Sequence, residues 1–76
     1  MENPYKQQMN ILLDKAYDLK LILWNDGMVY SDFIQALWRT FLKHEEFSHE
    51  ALKIQENLGE SGSLELLSDE IDLKRR

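Results

Sequence analysis

Apolar side chains recur at steps of four and three on both sides of an Asn25-Asp26-Gly27 break, and this rhythm restricts the fold more than any other feature. Before the break it runs through Tyr5, Met9, Leu12, Ala16, Leu19 and Leu23. After it, the positions are Phe33, Leu37, Thr40, His44, Phe47, Ala51, Ile54 and Leu58. Such steps hold side chains on one face of an α-helix, so each segment can bury a continuous seam. The pattern predicts an all-α fold: an antiparallel helical hairpin of two long helices, followed by a short C-terminal third helix.

Local signals place the boundaries. Asn3 is suited to cap a helix and Pro4 to occupy its first position, so the first helix is expected over about residues 4–24. Gly27 can supply a left-handed helix end, and residues 25–31 form the turn. Ser31 or Asp32 would cap the second helix, with Asp32 and Gln35 at capping-box spacing and Tyr30 as a hydrophobic staple. Neither Gly nor Pro interrupts residues 32–58, a helix of roughly 40 Å. Residues 59–63 (Gly-Glu-Ser-Gly-Ser) read as a flexible joint, and the third helix follows over about 64–74. Its Leu64, Leu67 and Ile71 share one face. They can pack on the overhanging end of the second helix, fold back over the hairpin, or meet another chain.

Seventy-six residues form a single domain whose core is marginal, since a chain this short buries only about 60% of its unfolded surface. It contains no cysteine, which excludes disulfides and thiolate metal sites and leaves oligomerisation as the common compensation. Leu21, Trp24, Trp38 and Leu42 sharpen that expectation. Taking Phe33 as zero, Trp38 and Leu42 turn away from the seam by about 140° and 180°. A two-helix hairpin buries one stripe per helix, so these four residues are expected to form an exposed apolar patch beside the turn. Large aromatics in such patches anchor interfaces. The expected assembly is a homodimer in which two hairpins build a four-helix bundle.

Net charge is −5, unevenly spread. Residues 1–43 hold five acids and five bases, whereas residues 44–72 hold nine acids against Lys53 alone. That surface repels phosphate backbones and favours a basic protein partner, which argues against direct nucleic-acid binding. The longest apolar run, Leu21 to Trp24, is far short of the ~20 residues a membrane helix needs. No secretory pattern opens the sequence, and the lack of cysteine suits a reducing compartment, so a cytoplasmic location is expected.

His44, Glu45, Glu46, His49 and Glu50 are the one cluster with ligand-like composition. Glu46-x-x-His49 has the spacing used in di-iron carboxylate bundles, but those sites need a second motif and two more carboxylates. A hairpin centred near residue 28 would set Gln8, Met9, Asn10 and Ile11 opposite, and none is acidic. His44 falls in the seam and reads as a structural histidine with Ser48 as hydrogen-bond partner, its protonation weakening the seam. Ser48 and His49 point about 100° apart, and no acid orients either histidine, so no triad is assembled. Glu45-Glu46 resembles the start of the Glu-Glu-x-x-Glu run with which all-helical nucleoside triphosphate pyrophosphohydrolases hold Mg²⁺. His49 stands where the third Glu belongs, so no family is assigned. The three glycines form no phosphate loop.

No catalytic, cofactor-binding or metal-binding residue is therefore expected. The reading is a small acidic, non-enzymatic regulatory or adaptor protein that acts through protein–protein interaction. An acidic nucleic-acid mimic occupying a basic groove is the alternative, and a metal-dependent all-α hydrolase a remote third.

Overall fold

In the computed structural model, which describes residues 4–22 and 27–75, the helical rhythm is realised as three helices, with no strand among the described residues. They are α1 (Lys6–Asp18), α2 (Tyr30–Lys43) and α3 (Ser48–Arg75).

Helix α1 stops earlier than its apolar pattern. The Lys20 amide donates to the Tyr17 carbonyl at 3.0 Å and the Leu21 amide to the Ala16 carbonyl at 2.9 Å. This pair of bonds is a Schellman ending, and it requires a left-handed residue, here Lys20 at φ 59°. The wrap turns Leu21 back onto the core, where it is half-buried, and leaves Leu19 exposed. The expected Asn3 cap and the segment from Leu23 to Asp26 lie outside the described residues.

Helix α2 begins after Val29, whose extended backbone precedes Tyr30. Ser31 and Asp32 therefore sit inside the first turn, and no side-chain cap bond forms. Gln35, the expected capping-box partner, instead accepts from the Arg39 guanidinium at 3.4 Å.

The uninterrupted second helix expected over 32–58 breaks at residues 44–47, where neither Gly nor Pro marks the position. Packing supplies the reason. Six residues along a straight helix would set Phe41 and Phe47 about 120° apart, and one would face water. At His44 the backbone turns extended (φ −78°, ψ 125°), and both rings become fully buried, stacked at 5.0 Å between centroids. The break leaves the next helix with orphan amides, which His44 itself serves. Its carbonyl accepts from the Phe47 and Ser48 amides at 2.9 and 2.8 Å, and its Nδ1 from the Glu46 amide at 3.2 Å.

Helix α3 is bent at Gly59 (φ 76°, ψ 171°), a conformation open essentially only to glycine. A straight helix of 28 residues would measure about 42 Å, but the longest dimension of the molecule is 32 Å. The bend thus divides α3 into limbs, residues 48–58 and 60–75. Ser63, fully buried, donates to the Gly59 carbonyl at 2.7 Å and so satisfies its hydroxyl next to the bend.

Helix α3 is the centre of the fold. Both other helices pack on it, while α1 and α2 have few contacts with each other, so the structure does not show the antiparallel hairpin expected of residues 4–24 and 32–58. Asn10 meets Glu70 and Asp14 meets Lys74, so α1 runs parallel to the second limb. Along α2 the order reverses, with Tyr30 bonded to Ser68 and Asp72 and Trp38 to Gln55. One core joins all three helices: Met9, Leu12, Leu13 and Ala16 from α1, Phe33, Ile34, Leu37, Trp38 and Phe41 from α2, then Phe47, Ala51, Ile54, Leu66, Leu67 and Ile71. Burying each large aliphatic or aromatic side chain contributes about 1.5–3 kcal/mol.

Candidate interaction surface

The patch expected from Leu21, Trp24, Trp38 and Leu42 is not an exposed indole surface at Trp38. That side chain is 2% exposed and belongs to the core. Its ring packs edge-on to Phe41 at 6.1 Å, and its Nε1–H donates to Gln55 Oε1 at 2.7 Å. The physical reason is the bend in α3. A single straight partner covers one stripe of α2, but two limbs cover a wider arc, so Phe33, Ile34, Leu37, Trp38 and Phe41 are all buried. Leu21 and Leu42 are half-buried against that core. Trp24 lies outside the described residues. Among the described residues, the large apolar side chains that do face solvent are Ile11, Tyr17, Leu19, Val29, Leu52 and Leu73.

Around His44 the structure brings together groups from two elements. Lys15, Asp18, Leu19 and Leu21 from α1 and its ending, with His44, Glu45 and Glu46, line an open depression. Lys15 ties the two sides. Its ammonium sits 3.7 Å from the Glu46 carboxylate, 3.4 Å from the Glu46 carbonyl and 5.7 Å from the Phe47 ring centre. Ser48 reaches His44 by its backbone amide, so the expected partner of the imidazole is replaced by the Glu46 N–H. Among the described residues, no three His, Asp or Glu side chains are placed to hold a metal ion together. A second, smaller depression lies between α2 and the second limb, lined by Tyr30, Ser31, Ile34, Gln35, Leu64, Glu65 and Ser68.

The acids of residues 44–72 divide by environment. Glu70 is buried and accepts from the Asn10 side-chain amide, which also donates to the Lys6 carbonyl at 3.1 Å. Asp72 accepts from the Tyr30 hydroxyl at 2.9 Å. Glu45, Glu46, Glu56, Glu60, Glu65, Asp69 and Asp72 are exposed. The ion pairs of the described residues engage Asp14 and Glu46, so most of the exposed carboxylates of α3 keep their charge uncompensated by a bonded cation. Lys53 and Lys74 are the basic side chains described along the same helix.

Sequence reasoning did not single out Gln55, Asn10 or Glu70. Their one available signal is a polar residue at a helical step from core positions: Gln55 beside Ile54, Asn10 beside Met9 and Glu70 beside Ile71. A polar group there needs a partner when the face is buried. No protein-family model matches the chain, and neither does any curated protein or solved structure. No helix among the described residues is long and apolar enough to cross a membrane.

Proposed function

We propose that this protein is a non-enzymatic regulatory or adaptor protein that binds another protein through the carboxylates along α3, its partner presenting a basic surface. The observation that carries the reading is the split just described. The indole expected to anchor an interface is interior, whereas Glu56, Glu60, Glu65 and Asp69 stand exposed on one helix. A cationic partner surface would complement that field, which steers encounter and sets specificity more than it adds affinity. With Trp38 satisfied inside a single chain, the argument for self-association through its ring loses its basis.

The reading makes a measurable demand. Capture from cells of the source, at physiological salt, should retrieve a basic protein that is released as salt rises. The same capture with Glu56→Lys, Glu60→Lys and Glu65→Lys combined should fail, while circular dichroism shows the helices intact. Undiminished capture by the triple variant would remove the proposal. Duplex DNA separates the mimic form from a plain adaptor, because it displaces a mimic from its groove and leaves other contacts in place.

A further inference from the structure

We infer that the depression between α2 and the second limb of α3 seats an arginine side chain of the partner. The inference rests on the reading of a basic protein partner and names the group which that partner inserts. The space measures about 250 Å³ and is open to solvent. Pockets that enclose a whole small molecule run from about 300 to 1,000 Å³, so this one suits a single long side chain.

Four kinds of surface meet in its lining, and arginine is the side chain that uses them all. Ile34 and Leu64 offer an apolar floor to a methylene stem. Glu65 supplies an exposed carboxylate, which can accept two parallel N–H donors from a planar guanidinium. Gln35 adds an amide oxygen, and Tyr30 an aromatic wall against which a guanidinium is attracted. That wall is held in place. The Tyr30 hydroxyl donates to Asp72 at 2.9 Å and lies 3.3 Å from the Ser68 carbonyl, and its ring leans on Phe33 at 6.3 Å. A wall fixed in advance spares the ordering cost of binding.

Charge selects the same occupant. Asp32 follows Ser31 of the lining, and Asp69 and Asp72 continue Glu65 along the second limb, all of them exposed. Lys74 of that limb is engaged with Asp14 of α1. Arg39 reaches the rim from α2 and donates to Gln35 Oε1 at 3.4 Å, so this acceptor already receives a guanidinium. The bond is long beside the usual value of about 2.9–3.0 Å, and an incoming arginine can displace it. Lysine fits less well, because its ammonium is more strongly hydrated and lacks the planar fork.

An NMR titration of the isotopically labelled full chain with N-acetyl-arginine methylamide, in dilute buffer, tests the seat. The amide resonances of Gln35, Leu64, Glu65 and Ser68 should shift and saturate together, while those of Glu56 and Glu60 barely move. The lysine analogue should bind more weakly. The norleucine analogue, a stem without charge, should leave the lining unmoved. Glu65→Gln should weaken the arginine probe about two- to five-fold, the range of an exposed ion pair. Arg39→Ala should tighten it, because the competing guanidinium is gone. Shifts spread evenly over the carboxylates of α3, or no saturable shift at all, overturn the inference. So does a lysine analogue that binds as tightly as the arginine one. Cell capture with the triple variant separates this outcome from the wider reading. Capture lost in that variant, with no saturable probe shift, removes the seat alone. A saturable seat with capture undiminished in that variant removes the acidic-surface reading alone.

Discussion

Gln55 accepts the indole N–H of Trp38 at 2.7 Å, so this buried tryptophan is satisfied by a residue seventeen positions later. Removing that acceptor by Gln55→Ala strands a donor on a side chain that is 2% exposed, a loss of about 1–3 kcal/mol. Urea unfolding followed by circular dichroism measures it. Gln55→Glu keeps an acceptor and should lose less.

Gly59 isolates a backbone effect from a packing effect. A Cβ added there meets no atom within 4 Å, so Gly59→Ala carries no steric clash. The cost is that of holding alanine at φ 76°, ψ 171°, on the order of 1–3 kcal/mol. Straightening α3 to escape that strain would pull its limbs out of the common core. We expect a lowered Tm at unchanged helicity in calorimetry paired with circular dichroism. Gly62 is a different case, since its added Cβ would sit 3.1 Å from the Leu58 Cβ.

Lys20 ends α1 at φ 59° without the residue that best tolerates this geometry. Lys20→Gly should raise stability by about 1 kcal/mol, and Lys20→Val should lower it by at least as much. In a domain of this size 1 kcal/mol corresponds to about 4–8 °C in Tm. A thermal melt of both variants is sufficient, and a glycine variant no more stable than the parent would contradict the assignment of a Schellman ending.

Two cross-helix contacts between α1 and α3 should respond unequally. Lys74 reaches the exposed Asp14 at 2.6 Å, and Lys74→Ala should cost no more than about 1 kcal/mol and less in high salt. Asn10 serves Glu70, which is 3% exposed, and Asn10→Ala should cost about 1.5–3 kcal/mol with little salt dependence. Replacing both Asn10 and Glu70 by leucine should restore most of the loss, because no buried carboxylate then remains unpaired. Chemical denaturation of the single and double variants closes the cycle.

The all-helical class was legible, because steps of four and three hold over long windows. Met9, Leu12, Ala16, Phe33, Leu37, Phe47, Ala51 and Ile54 from that rhythm are all buried. What periodicity could not convey is where a helix turns. Nothing at Lys20 resembles a glycine stop, and His44 breaks the helix for the sake of two phenylalanines whose contact is set by tertiary packing. The misplaced Trp38 follows from the same gap. Its angle from Phe33 is a property of α2 alone, whereas its burial depends on where α3 packs against α2, with Gln55 at its indole N–H. The charge asymmetry was plain in the sequence, but which carboxylates are consumed internally was not. Glu70 and Asp72 find Asn10 and Tyr30 only when the second limb of α3 lies against α1 and α2.

The pairing of Asn10 with Glu70 and of Asp14 with Lys74 links positions sixty residues apart. During synthesis α1 therefore leaves the ribosome long before its docking surface exists, while α2 and the limb beginning at Ser48 can collapse on each other as neighbours. The opening helix is a latch that closes last, and a chain stalled short of Leu66 would carry its apolar face uncovered, as a natural target for chaperones.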